Sequence, residues 1–174
     1  MTMQLIETKT LTGTQASIEF TSIPQDATDL LAVMSLRSSS TSDGAQTYLE
    51  VNGSASGFTN RTLYGTGSGA FSFSASIGYA LFYSGSGDTA NTFGNNSLYI
   101  PNYTLSSAKS MSIDSVYETN ATAAYQGIMA QLWNNTAAIT SLLFKPTPSA
   151  SWVAGSTISL YKITKGSSGG VVVS

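Results

Sequence analysis

Chemistry in this chain would have to come from carboxylates, hydroxyls and aromatic rings, because it contains no histidine and no cysteine. Those absences remove the usual acid–base side chain, the hydrolase triads, thiolate metal sites and any disulfide framework. Nine carboxylates remain: Glu7, Glu19, Asp26, Asp29, Asp43, Glu50, Asp88, Asp114 and Glu118. Two of them facing across a cleft would suffice for glycoside hydrolysis. Glu19, Glu50, Asp114 and Glu118 fall at outward positions of alternating segments, however, where a solvated charge is the ordinary outcome. The expectation is a protein with no catalytic, cofactor-binding or metal-binding residues, and not an enzyme.

Other motifs carry little chemistry. Gly65-Thr66-Gly67-Ser68-Gly69 has the glycines of a phosphate cradle but lacks the lysine and the following helix of a P-loop, and reads as a loop tip. Gly85-Ser86-Gly87-Asp88, followed by Asn91, Asn95 and Asn96, offers oxygens to Ca²⁺, but one carboxylate is a poor start for such a site and Asn and Gly serve turns. Six Asn-x-Ser/Thr sequons, at Asn52, Asn60, Asn95, Asn102, Asn120 and Asn134, follow from a composition rich in those residues. Among the nine Tyr, seven Phe and two Trp, Tyr64, Phe82, Tyr83 and Tyr99 lie near expected loops and are candidate glycan or partner contacts. The competing reading, which we favour, is that most of these rings fill a core or an interface.

Charge narrows the partners. Only 9% of residues are charged and the net charge is −2, against roughly 25% charged in an average globular protein. The seven Lys and Arg are scattered, so the basic footprints for nucleic acid and for anionic membrane are both missing. Hydroxyls replace the charges: 29 Ser and 22 Thr make 51 of 174 residues. With 41% apolar residues this is not a disordered composition. Either a neutral polar surface faces solvent, or a partner permanently covers part of it. Met1-Thr2-Met3-Gln4-Leu5 lacks the basic flank and apolar core of a secretory leader, so export by lysis or as part of a particle is expected. No apolar run approaches the roughly 20 residues that span a bilayer.

The elements that must position these groups are strands. Segments alternate with period two: Ile18 and Phe20 share a face, as do Met111, Ile113 and Tyr117, with Asp114 and Glu118 opposite. Leu30 to Leu36 is nearly all apolar, as in a central strand covered on both sides, and Pro24 makes the corner before it. Thr47 to Asn52 ends at the turn signal Asn52-Gly53 and is expected to form a hairpin with Thr59 to Tyr64. Pro101 within Ser97 to Tyr103 points to an edge or a bulge. Gln4 to Leu11, Ala124 to Trp133, Ala137 to Phe144 and Thr157 to Ile163 complete the set, and Ala75 to Tyr83 reads as a weak helix or another strand. About nine strands and long Gly/Ser/Asn-rich loops at 38–46, 65–76 and 84–96 predict an all-β, antiparallel β-sandwich over residues 1–165. Residues 166–174 read as a flexible C-terminal tail.

Three stretches, "ASIEFTSIPQDATDLLAVMSLRSS", "LYIPNY" and "WVAGSTISLYKI", together resemble small virion structural proteins of tailed phages, especially aquatic and cyanobacterial ones. The resemblance runs over roughly residues 16 to 163. It implies a jelly-roll-like sandwich that assembles on a particle, made in the host cytoplasm and carried on the capsid surface, and it brings no functional residues with it. The first expectation is a capsid decoration, or cement, protein that binds the major capsid protein and itself as a homotrimer, without nucleic acid or membrane. The alternative is a tail-fibre or receptor-binding module recognising host surface glycans. A third, weaker one is a carbohydrate-active enzyme using a carboxylate pair.

Overall fold

Period-two alternation turns nearly every apolar segment into strand. The computed structural model describes residues 1–42, 44–120 and 124–165. Its strands are β1 (Thr2–Thr10), β2 (Ile18–Phe20), β3 (Asp29–Leu36), β4 (Gln46–Val51), β5 (Phe58–Gly65), β6 (Ala70–Ala75), β7 (Tyr79–Phe82), β8 (Gly94–Ile100), β9 (Lys109–Tyr117), β10 (Tyr125–Trp133), β11 (Leu142–Lys145) and β12 (Thr157–Thr164). They make two antiparallel sheets, an eight-stranded one ordered β1-β12-β3-β8-β9-β10-β5-β6 and a four-stranded one ordered β2-β11-β4-β7.

The pairing explains the order. β1 pairs with β12, β2 with β11, β3 with β8 and β4 with β7. That is one long antiparallel ribbon wrapped so that successive pairs alternate between sheets, which is a jelly roll. Its two four-stranded sheets are β1-β12-β3-β8 and β2-β11-β4-β7. Two antiparallel pairs are inserted into it. β5 and β6 interrupt the chain between β4 and β7, β9 and β10 interrupt it between β8 and β11, and β5 hydrogen-bonds to β10. The insertions therefore extend one sheet only, beyond β8.

Between the sheets lies a core that includes Phe20, Met34, Leu98, Phe144, Trp133 and Trp152. The Trp152 indole donates to the Phe144 carbonyl at 3.0 Å and meets Tyr83 edge-on at 4.9 Å. The four-stranded sheet is too narrow to cover the extension, and polar side chains help to close the gap. Along the inner face of β5, β10 and β9, inward positions hold Asn60, Gln131 and Ser115, all buried. They bind the backbone of the segment that crosses beneath them. Gln131 accepts from the Tyr79 amide at 2.8 Å and donates to the Tyr79 carbonyl at 3.2 Å. Asn60 donates to the Ile77 carbonyl at 2.8 Å, and Ser115 accepts from the Phe82 amide at 3.2 Å. β7 is an edge strand whose free backbone groups are met by side chains where a neighbouring strand would be. Gly127 makes room for this crossing, since a Cβ there would stand 2.9 Å from the Phe82 ring.

Several expectations change. The described residues form twelve strands, not about nine: the supposed loop 65–76 contains β6, whose Phe71 and Phe73 alternate with serines, and Ala75 to Tyr83 supplies β7 and no helix. β5 pairs with β6 and β10 in the other sheet, not with β4. β8 is central, between β3 and β9, because Pro101 lies one residue past its end and removes no ladder donor. β3 is central but covered on one side only, with Val33 41% exposed. Of Ala137 to Phe144, only the end forms a strand. The expected tail, 166–174, lies outside the described residues.

Candidate interaction surface

The extension leaves the outer face of the large sheet uncovered. Register fixes what it presents. One row across the strands reads Leu31, Tyr99, Ser112, Ala130, Arg61 and Ser74; the next reads Val33, Ser97, Asp114, Ile128, Leu63 and Ser72. Small side chains at the centre of a twisted sheet leave a hollow, here an open groove of about 1140 Å³. Leu63 and Ile128 stand in it, 60% and 54% exposed; outside it on the same face, Val116 lies diagonally from Ile128 at 39% and Leu132 lies four residues along β10, across Ala130, at 36%. Clustered exposed apolar residues on one sheet face mark an interaction site more often than scattered ones do.

Across the outward positions of β8, β9, β10, β5 and β6, Asp114 and Arg61 are the two charged side chains. Asp114 makes no hydrogen bond or ion pair within the described residues, while Arg61 donates to the carbonyl of Asn60 at 2.7 Å. Among the described residues Asp114 is the one carboxylate lining the groove, where a carboxylate-pair mechanism needs two.

Tyr99 lines the groove, half-buried. Its hydroxyl donates to Asp29 Oδ2 at 2.6 Å, and this bond, then burial, pushes its pKa up to about 12. Asp29 is fully buried; its other oxygen accepts from the Asn102 amide at 3.0 Å and pairs with Lys165 at 3.1 Å. Burial would raise the Asp29 carboxyl, but the bonds from Tyr99, Asn102 and Lys165 outweigh it and hold it below its ordinary value.

The other aromatic candidates do not meet Tyr99. Phe82 and Tyr83 are buried, 2% and 0% exposed, so neither can touch a glycan or partner: the end of the segment read as a weak helix or another strand is β7, which runs on into the core and not toward a loop surface. Tyr64 is half-buried on the inner face, in a stack of near-parallel rings. Tyr117 and Tyr125 lie 5.6 Å apart, Tyr125 and Tyr64 6.1 Å, and Tyr64 and Phe71 5.4 Å. The stack starts in the core and ends at Phe71 on the β6 edge, 48% exposed.

The glycine loops are structural. Gly67, with φ of 81°, lies in the tight turn joining β5 to β6, closed by the Thr66 amide donating to the Gly69 carbonyl at 3.0 Å. In the 84–92 loop, Asp88 accepts from the Gly85 amide at 2.5 Å and from the Tyr117 hydroxyl. The loop carbonyls are engaged by a side-chain cation: Arg37 donates to the carbonyls of Asp88, Thr89 and Thr92 at 3.2, 2.9 and 2.9 Å. Asn95 and Asn96, adjacent on β8, point to opposite faces and cannot converge with Asp88 on one ion. Among the described residues no group of three or more His, Cys, Asp or Glu gathers into a metal-binding cluster.

Sequence reasoning did not find Leu63, Ile128, Asp114 and Arg61 as a constellation. A signal existed in β10, where Ile128-Met129 and Leu132-Trp133 are apolar on successive residues and so place apolar side chains on both faces. Fold and surface together define the class, an extended jelly-roll sandwich with an uncovered hydroxyl-floored face. No family model, no curated protein and no solved structure matches the chain.

Proposed function

We propose that this chain is a non-catalytic structural protein of a tailed-phage particle, a decoration or cement protein that packs on the head between major capsid subunits. The uncovered outer face of the extended sheet carries the reading. Its exposed Leu63, Val116, Ile128 and Leu132 supply apolar area, and its serines supply hydrogen bonds without the desolvation cost of ions. Each contact is modest, and many copies per shell multiply it. The resemblance of three stretches to virion proteins supports the setting, and association as a homotrimer belongs to the same proposal. Quantifying the protein in purified particles tests it. Hundreds of copies per particle are expected, and its absence from particles would sink the assignment.

A second reading has its own observation. Ser97, Ser112, Ser72, Ser74 and the Tyr99 ring line a groove of about 1140 Å³, a surface a host glycan would fit, as on a tail-fibre or receptor-binding module. That reading expects tens of copies or fewer, and glycan-array binding that falls on Tyr99→Ala.

A further inference from the structure

The charges on the outer face are placed as a self-complementary pair. Arg61 on β5 lies opposite Ala130 on β10, Ala130 lies opposite Ser112 on β9, and Asp114 is two residues along from Ser112. Asp114 and Arg61 are therefore two strands and one outward row apart, a diagonal of about 12 Å from standard strand spacings. The midpoint of that diagonal falls on β10, between Ile128 and Ala130. β10 is itself the middle strand of the five that make this face, β8-β9-β10-β5-β6.

We propose that this face is a docking surface for a second copy of the chain, related by a two-fold axis, with Asp114 of each copy against Arg61 of the other. A two-fold axis lying in the interface plane, over that midpoint and perpendicular to the diagonal, reflects each charge onto its opposite. One contact thus makes two ion pairs, as an isologous interface requires. The same operation brings Ile128 and Leu63 of one copy over those of the other, so the exposed apolar side chains meet at the centre. It lays Ala130 and Ser112 over their own counterparts on the other side of the diagonal. Five strands by about 25 Å give a footprint on the order of 500 Å² per copy, or about 1,000 Å² in all, where specific interfaces begin. A nucleic-acid partner would want more cations than the single Arg61, and a purely apolar partner would leave both charges buried and unpaired. The copy satisfies both.

The contact adds to any threefold association through other surfaces, so the species in solution holds two chains, or six. The face is the same one assigned to capsid subunits on the particle, so the two contacts exclude each other and the pair belongs to the free chain; absence from particles would overturn the virion assignment alone, and failure of the pairing would overturn this inference alone.

Sedimentation equilibrium of the full chain across the micromolar range, with charge reversals, tests it. Asp114→Arg and Arg61→Asp each set like charges against each other twice, and each is expected to weaken the two-fold contact at least about tenfold. The double variant Asp114→Arg/Arg61→Asp restores the pairs with inverted sign and is expected to recover the wild-type mass. Both positions face outward, and recovery in the double variant separates pairing from misfolding. A wild-type chain that stays monomeric or trimeric, or a mass unmoved by both single reversals, overturns the proposal. So does glycan binding at the groove that is lost in Asp114→Arg while the mass is unchanged.

Discussion

The side chains that stand in for a strand beside β7 give the sharpest test of the fold argument. Replacing Gln131 by Leu keeps the side-chain volume and removes the amide. The Tyr79 N–H then loses its bond at 2.8 Å and the Tyr79 carbonyl its bond at 3.2 Å. Gln131 is 2% exposed, so water does not replace them without opening the structure. A buried N–H left without a partner costs about 1–3 kcal/mol and the lost carbonyl bond about 1 more, giving roughly 2–4 kcal/mol. For a chain of this size that is a fall in Tm of about 5–15 °C. Urea unfolding should show a lower midpoint with an unchanged m-value, because the surface exposed on unfolding is the same. The Tyr79 amide should also lose hydrogen-exchange protection ahead of its neighbours. Gln126→Leu, outward on the same strand, is the control and should stay within about 0.5 kcal/mol of wild type. If Gln131→Leu matches that control, the side-chain bonds to β7 are incidental.

Two further perturbations follow from buried polar anchors. Asp29 is held below its ordinary pKa by Tyr99, Asn102 and Lys165 against the cost of burial. Its contribution is therefore complete above about pH 3.9, the unfolded value, and disappears as pH falls through the lower folded one. Asp26, lowered mainly by its bond to Lys162, acts in the same window, so Asp29→Asn should flatten the acid limb of thermal stability without abolishing it; an unchanged limb refutes the linkage. Arg37→Met strips the 84–92 loop of its bonds to three carbonyls and should cost about 1–3 kcal/mol. The loop should then be cut by protease between Gly85 and Thr92 sooner than wild type, and equal cleavage rates would show that the loop is held by other contacts.

How much of this was legible depended on period. Where one face is buried and the other wet, as in β9, alternation of Met111, Ile113 and Tyr117 with Ser112, Asp114 and Val116 gives strand and facing together. β6 was hidden because its phenylalanines alternate with serine in a Gly/Ser-rich stretch, where composition argues for a loop. The partner of β5 was hidden for a different reason. Asn52-Gly53 does form a tight turn, with φ of 52° and 72°, but local turn chemistry does not decide which sheet the next strand joins. That choice rests on contacts with β10, more than 60 residues later in the sequence. Gln131 and Asn60 occupy inward positions of otherwise readable strands. A polar residue in an apolar slot signals a buried partner, but the partner is backbone, and backbone leaves no mark in a sequence.

The uncovered face follows from how the extra strands were added. The eight ribbon strands already pair into two matched four-stranded sheets, so the jelly roll closes without β5, β6, β9 and β10. Adding them to one sheet creates an overhang with two surfaces. The inner surface buries Phe58, Met111, Ile113, Met129 and Trp133, and it needs Asn60, Gln131, Ser115 and a ring stack reaching from Tyr117 to Phe71 to close it, a costly arrangement of buried polar groups. The outer surface gains nothing from the fold and leaves Leu63 and Ile128 more than half exposed. A charged surface would keep such a platform soluble, yet apart from Asp114 and Arg61 its polar side chains are mostly hydroxyls, which are cheaper to desolvate. Strands that require plugging on one side and stay bare and nearly neutral on the other are accounted for by what they present, so changes confined to outward positions of β9, β10 and β5 should alter association while leaving the unfolding midpoint of the isolated chain in place.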